Sequence, residues 1–350
     1  MKLALRRWRQ DDAKIIVAAC TDTITQRYLP LLPSPYTHAD ALAFIERGAT
    51  ERAVVDADSD EVLGAIGWRP GRDNTAEIGY WVVPAARGRR VASTAVELLS
   101  AELFQTDFQR LYLQTALTNV ASQRVAIAAG FTREGIARGA SRWRDGTRYD
   151  TVVWARLADD PPGPSPRALP DLPDGRLTDG VVVVRPMVAE DGLVTYNLRV
   201  LPEVSGRSVV GTPADPAVIA RQCAESASKW LAGQRAEMTI WRADDDAYLG
   251  EIAVYYAEPV LREAMIGYSL MPEARGHGYA ARAARLVTDW GFESGMARMI
   301  AGTAVDNIAS QRVLEAAGYE REALQHARLP GPDGTRLDNV MFAKVRPAAA

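Results

Sequence analysis

One feature limits this chain more than any other: it repeats itself. Ile78-Gly79-Tyr80-Trp81-Val82-Val83-Pro84 returns as Ile266-Gly267-Tyr268-Ser269-Leu270-Met271-Pro272. Asn119-Val120-Ala121-Ser122-Gln123-Arg124-Val125 returns as Asn307-Ile308-Ala309-Ser310-Gln311-Arg312-Val313, and Asp145-Gly146-Thr147-Arg148 as Asp333-Gly334-Thr335-Arg336. The offset is 188 residues in all three blocks, from Gly79 to Gly267, from Asn119 to Asn307 and from Gly146 to Gly334. A register without gaps over three separate blocks signals duplication, not shared composition. Nearer each start the offset is 179, from Arg6 to Arg185 and from Asp12 to Asp191, so the second copy has gained residues between Gly192 and Met238. Early loops and helices tolerate such insertions.

The 350 residues suit two domains of ordinary size. The boundaries read as 1–157 for the first copy, 158–179 for a Pro-rich linker and 180–347 for the second copy. The stretch Pro161-Pro162-Gly163-Pro164-Ser165-Pro166, with Pro170 and Pro173, favours extended chain over a core element. The composition is 47% hydrophobic and 24% charged, with a net charge of -3. No basic field points to nucleic acid or to an anionic membrane, and no apolar run reaches the length of a membrane span. The N-terminus lacks the apolar run of a signal peptide, and Cys20 and Cys223, one per copy, read as reduced thiols. A cytoplasmic protein is expected.

The second copy reads most clearly. Val181 to Arg185 is a β-branched strand, followed by a mixed helical region to about Gln234. Glu237 to Arg242 and Tyr248 to Tyr256 form strands joined by the solvated acidic turn Ala243 to Asp246, and Glu263 to Met271 is a further strand. Arg275-Gly276-His277-Gly278-Tyr279-Ala280 opens a helix with Ala284, Val287 and Trp290 on one face. After a strand from Arg298 to Val305, Asp306 or Asn307 caps a helix that stops at Gly318. The expected fold is α+β: a mixed β-sheet flanked by helices in each copy.

The strand, Pro, Gly-rich loop and helix from Gly267 to Ala280 carry the chemistry. A helix N-terminus offers unpaired backbone N–H groups and a favourable dipole to an anion, and glycines allow a pyrophosphate close to the backbone. With Gly-Tyr on the strand, Arg-x-x-Gly-x-Ala in the loop, Asn-x-x-Ser downstream and Gly-Tyr after it, this pattern resembles the GCN5-related N-acetyltransferases (GNAT), of the RimJ/RimL type. Both copies show it. The resemblance implies an acyltransferase that uses acetyl-CoA and no metal. It places the pyrophosphate on the backbone of Arg275, Gly276, His277, Gly278, Tyr279 and Ala280. It lays the pantetheine arm along Tyr268, Ser269 and Leu270 with a contact from Asn307, and puts Ser310 near the sulfur. It further implies an amine-bearing small molecule, peptide or protein N-terminus as acceptor. Relatives with one such domain often pair, so an internal pseudo-dimer is expected within a monomer or homodimer. Other readings are a non-catalytic acetyl-CoA sensor or interaction module and an enzyme that uses another acyl-CoA.

The copies differ where chemistry matters. The central loop glycine, Gly278 in the second copy, is Arg90 in the first. Either Arg90 blocks the cofactor and leaves the first copy degenerate in its cofactor loop, or its guanidinium swings out and pairs with a phosphate. On the first reading the chemistry lies mainly in the second copy. Glu77, where the family often has a carboxylate, is replaced by Met265 in the second copy. A tyrosine that many relatives carry seven residues after the motif Asn is Ala126 and Leu314 here. An ammonium must lose a proton before it attacks a thioester, so a base is needed. The second copy's candidates are Glu251 and Glu263, and Ser310 is the candidate donor to sulfur. The His277 side chain reads as a solvated loop histidine and not a catalytic one, and His38 and His326 are assigned no role.

Overall fold

The computed structural model describes residues 1–206, 215–331 and 334–347. Contacts divide the chain into two units, Met1–Pro166 and Arg167–Ala350. The first runs β1 (Leu3–Arg6), α1 (Ala13–Thr21), α2 (Thr23–Tyr28), α3 (His38–Glu46), β2 (Glu51–Asp56), β3 (Val62–Pro70), β4 (Thr75–Val82), α4 (Val91–Leu103), β5 (Arg110–Ala116), α5 (Val120–Ala128), β6 (Thr132–Arg142) and β7 (Arg148–Leu157). Its sheet order is β1-β2-β3-β4-β5-β7-β6.

The second runs β8 (Leu177–Thr178), β9 (Val182–Pro186), α6 (Gly192–Arg199), α7 (Pro202–Ser205), α8 (Pro216–Leu231), β10 (Arg235–Arg242), β11 (Tyr248–Glu258), β12 (Glu263–Leu270), α9 (Tyr279–Glu293), β13 (Arg298–Ala304), α10 (Ile308–Ala316), β14 (Glu320–Pro330) and β15 (Arg336–Val345). From β9 to β14 its sheet repeats the first unit's order, and β8 adds a strand beside β9. In each sheet one pair is parallel, β4 with β5 and β12 with β13, and the other pairs are antiparallel. These are the mixed sheets flanked by helices that the periodicity predicts.

The sequence repeat has structural counterparts. Arg6 donates to both oxygens of Asp12 at 2.8 and 3.0 Å, and Arg185 to both oxygens of Asp191 at 3.2 and 2.8 Å. Each carboxylate also accepts from a backbone N–H, of Arg9 or Val188, which ties the first strand of its unit to the following turn. Asp306 does not cap α10; Asn307 does, and Gly318 stands in the left-handed conformation after the helix. No helix among the described residues is long and apolar enough to cross a membrane.

The proline-rich stretch is more than a spacer. Ser165 donates its hydroxyl to the Phe131 carbonyl and its backbone N–H to Ile127 within the first unit. Leu169 and Leu172 are buried in the second unit's core, Trp230 donates its indole N–H to the Pro170 carbonyl, and Leu177 and Thr178 pair with β9. Proline removes an N–H donor but leaves a carbonyl acceptor and does not stop an adjacent leucine from burying its side chain. That is why a segment with the composition of a linker contributes to a core.

Candidate functional site

The parallel pair in each sheet is short. β12 and β13 meet only over Glu263–Arg298, Ala264–Met299 and Met265–Ile300, while β12 stays paired with β11 as far as Leu270. β4 and β5 likewise meet only over Thr75–Arg110, Ala76–Leu111 and Glu77–Tyr112. Beyond Met265, and beyond Glu77, the two strands separate and leave a V-shaped opening in the sheet. Backbone groups on the inner edge of β12 have no ladder partner there, so they are available to an extended ligand.

A tyrosine crosses each opening. Tyr268 Oη lies 2.9 Å from Ser310 Oγ and donates to the Ser310 carbonyl at 3.2 Å. Tyr80 repeats the arrangement with Ser122 at 2.7 and 3.3 Å. Burial pushes the Tyr268 hydroxyl up to about 12, against the opposing Ser310 hydrogen bond, so it stays a neutral phenol. The serines are presented by helix caps: Asn307 Oδ1 accepts from Ser310 N, and Asn119 Oδ1 from Ser122 N, each at 3.2 Å. The oxygen of Asn307 is thus committed to the cap.

The loop before α9 holds its shape through the Arg275 side chain. That guanidinium donates to the Leu270 carbonyl at 3.0 Å and reaches Glu203 at 3.3 Å. Arg87 does the same in the first unit, toward the Val82 carbonyl, Asp22 and Thr25. Each arginine therefore braces the loop, but its own backbone N–H is spent there, Arg275 on the Pro272 carbonyl at 3.2 Å and Arg87 on the Pro84 carbonyl at 3.3 Å, so the pyrophosphate contact expected from the Arg275 amide is not offered. Gly276 and Gly278 have φ of +81° and +77°, and a Cβ at either would meet nothing within 4 Å. His277 Nδ1 lies 2.8 Å from the Arg275 carbonyl and its ring stacks on Tyr279. Helix α9 has no side-chain cap at its N-terminus. An open, glycine-floored cradle with uncapped helix N–H groups fits a diphosphate.

The first unit's cradle has the same backbone. Arg90 adopts φ 61° and ψ 13°, beside 77° and 3° for Gly278, and caps α4 just as Gly278 caps α9. A left-handed arginine costs roughly 1 kcal/mol that glycine avoids. Arg90 is exposed and lines a cavity of about 390 Å³ with Glu97, Phe104 and Arg156. The loop shape has therefore survived the substitution.

Neither carboxylate expected as a base stands free. Glu251 is gripped by Arg199, whose Nε and Nη2 donate to it at 2.8 to 3.1 Å and whose Nη1 donates to Gln222. Glu263 accepts from Arg298 Nε at 2.6 Å, opposite Arg298 at the closed end of the opening. Glu251 is the cross-strand neighbour of Ser269 and so faces the open part; Glu263 does not.

A carboxylate that the sequence motifs do not flag occupies the same place in both units. Cross-strand partners run Glu51–Gly67–Gly79 in the first and Glu237–Ala253–Gly267 in the second. Its signal lies in a third offset of 186 residues, which relates Leu63-Gly64-Ala65-Ile66 to Leu249-Gly250-Glu251-Ile252 and Glu51 to Glu237.

The family model described as "Acetyltransferase (GNAT) domain" matches residues 2–132 and 182–320. The chain is 37% identical over 87 residues to "Probable N-acetyltransferase YjcK" of Bacillus subtilis, which covers 24% of this chain and 48% of that protein. It is 32% identical over 104 residues to the ribosomal-protein-serine acetyltransferase of Escherichia coli, over 29% of this chain and 57% of that protein. The chain thus spans about half of the length of the curated relatives it matches. Among solved structures, Mycobacterium smegmatis RimJ in complex with CoA-disulfide gives a TM-score of 0.44 at 22% identity, over 49% of this chain and 84% of that one. With both units matched by one model, over well more than half of its length, the chain belongs to the GNAT acetyltransferase family.

Proposed function

We propose that this chain transfers an acetyl group from acetyl-CoA to a primary amine of a small molecule, a peptide or a protein N-terminus, mainly in its second unit. The observation that carries this reading is the pairing of an open glycine-floored helix N-terminus with an opening between β12 and β13. Backbone amides from Gly276 to Ala280 hold the pyrophosphate, that of Arg275 being bonded to Pro272, and the β12 edge from Tyr268 to Leu270 pairs with the pantetheine arm. Asn307, its oxygen spent on the cap, offers that arm only its amide N–H groups. Bound there, acetyl-CoA supplies an activated acetyl thioester. Ser310, oriented by Tyr268, donates a hydrogen bond toward sulfur. A backbone N–H of β12 stabilises negative charge on the acetyl oxygen. Glu251 beside Ser269 is the better placed of the two carboxylates to draw the acceptor ammonium, with Arg199 as the group it must exchange. The E. coli relative named for a ribosomal-protein serine supports a peptide amine as one acceptor class.

The test is an acceptor screen with acetyl-CoA, read by mass spectrometry and by thiol release. Thiol release with a matching acetylated amine is the expected result. Binding of acetyl-CoA with no transfer to any amine would establish a sensor instead, and faster turnover of a longer acyl-CoA would change the donor.

A further inference from the structure

The first unit has lost the central loop glycine, yet its acceptor side is the better equipped of the two. Directly paired residues of an antiparallel sheet point to the same face, so Glu51, Gly67 and Gly79 share one. This is the face that α1 and α3 cover, since Ala53, Ala65 and Trp81, the next cross-strand row, pack with Trp8, Ile16 and Ala41. Gly79 lies two residues past Glu77, the last residue of β4 paired with β5, and therefore at the mouth of the opening.

The row is shaped around a carboxylate. A Cβ built on Gly67 would lie 2.1 Å from Glu51 Oε2 and 2.5 Å from its carboxyl carbon. The Glu51 side chain thus lies across Gly67, along the row that leads to Gly79. Above Gly79 itself a Cβ would meet nothing within 4 Å. The result is open space at the mouth of the splay, with a carboxylate one strand away, a spacing of about 4.8 Å. Burial pushes the Glu51 carboxyl up, and Arg69, Arg47 and Arg52 oppose that only at longer range. The same face also carries Arg69 and Glu77, cross-strand partners in the adjacent row, Arg6 in the row of Ala53, and Arg110 opposite Thr75.

The second unit shows what the same position looks like when it is closed. Glu237 is 2% exposed, with Oε1 3.0 Å from Arg235 and Oε2 3.8 Å from Lys229. Ala253 replaces Gly67, and a Tyr255 ring carbon lies 3.5 Å from a Cβ built on Gly267. Arg235 stacks over that ring. Two cations fix the carboxylate and an aromatic ring covers the glycine. Among the described residues, neither the clamp nor the cover is present at Glu51 and Gly79 of the first unit.

We propose that Glu51 accepts the proton of an amine seated over Gly79, which makes the first unit a second acetyl-transfer site. This rests on the acetyl-transfer reading above. Glu51 takes one proton from the ammonium nitrogen. The freed lone pair forms the bond to the acetyl carbonyl carbon as the carbon–sulfur bond breaks and its electron pair leaves on sulfur. The second amine proton goes to that sulfur, and Glu51 returns its own proton to water. The preserved left-handed turn at Arg90 and the Tyr80–Ser122 bridge keep the donor side of this unit in the same form as the second.

The test uses the full chain, acetyl-CoA and two kinds of acceptor: primary alkylamines with a pKa of ~10, like a lysine side chain, and a hydrazide that is neutral at the assay pH. Wild type, Glu51→Gln and Gly67→Ala are compared, the last because its methyl displaces the carboxylate while keeping it. For at least one alkylamine acetylated by the wild type, kcat falls about 100-fold in both variants at about pH 7. The loss shrinks as pH rises toward the amine's own pKa, the hydrazide loses less than about threefold, and KM for acetyl-CoA is unchanged. If Glu51→Gln fails to fold, Gly67→Ala carries the same comparison. Every alkylamine staying within about threefold of wild type, or the hydrazide falling as far as the alkylamine, overturns the proposal. A wild type that acetylates no probe defeats the acetyl-transfer reading as well, whereas an active wild type with unaffected variants defeats only the role of Glu51.

Discussion

The loop from Arg87 to Arg90 and the loop from Arg275 to Gly278 take the same path with different residues. Gly278 reaches φ 77° at no steric cost, and Arg90 reaches φ 61° against one. The bracing arginines, Arg87 and Arg275, hold each loop from behind in the same way. Backbone shape at this position is therefore set by the surrounding turn and helix, and the side chain is a strain the first unit carries. On the acceptor side the contrast runs the other way: Gly79 is open beside Glu51, and Gly267 is covered by Tyr255. Each unit is better preserved on one side of its sheet opening than on the other.

Changes at four kinds of position break or sharpen this comparison. The largest effect is expected at the paired Asp residues. Asp12→Ala removes the two-oxygen partner of Arg6, 15% exposed, leaves it only the half-exposed Asp60 at 2.8 Å, and should cost about 2 kcal/mol of first-unit stability in urea unfolding. Asp191→Ala should cost less, because Arg185 is 33% exposed and stacks on Trp241. The Asp12 pair also predicts acid sensitivity. Burial works against the charged form, but the hydrogen bonds from Arg6 and Arg9 outweigh it and hold the carboxyl below its ordinary value. The folded state therefore gains from ionised Asp12 above the unfolded pKa of about 3.9, and loses that gain as pH falls through the lower folded value. Asp12→Asn should flatten the acid limb of a first-unit melting curve.

Next, Gly278→Arg gives the second loop the first loop's residue. It should weaken acetyl-CoA binding to the second unit by about tenfold, about 1.4 kcal/mol, in calorimetry of the full chain. Unchanged affinity would show that the glycine's openness is not used by the ligand. Tyr80→Phe and Tyr268→Phe each remove the hydroxyl that bridges strand to helix through the serine hydroxyl and carbonyl. Each should lower the stability of its own unit by about 1 kcal/mol, since both bridges have the same partners. The smallest effect on stability is at Glu51. Its carboxyl is raised by burial, so the folded state favours the protonated form below the unfolded pKa and loses that advantage as pH rises through the folded value. Glu51→Gln should raise the first unit's melting temperature slightly at neutral pH, with no gain in acid.

The repeat, the two sheets with their flanking helices and the loop that opens α9 were legible because they depend on short-range patterns. Gly278, Asn307 and Ser310 are recognisable as turn, cap and first-turn residues from a few neighbours in sequence. Glu51 and Glu237 were not legible in that way. They lie on strands, and an intermediate offset of 186 residues separates them, hidden between the 179 and 188 of the clearer blocks. The Pro-rich stretch misled for a related reason. Its composition describes backbone preference, and the burial of Leu169 and Leu172 depends on a core built largely by residues after Val182.

The sequence by itself determined that two copies of one α+β domain would form and where each glycine-rich loop would meet its helix. Periodicity, caps and turn residues are local properties of the chain. Which carboxylates are free was decided only by tertiary structure. Glu251 and Glu263 are occupied by Arg199 and Arg298, distant in sequence, while Glu51 lies over Gly67 with no such arginine grip because strand register brought a residue without a side chain beside it. The availability of an ionisable group depends on what packs within a few ångströms of it, and that neighbourhood is assembled from strands and helices that lie far apart in the chain.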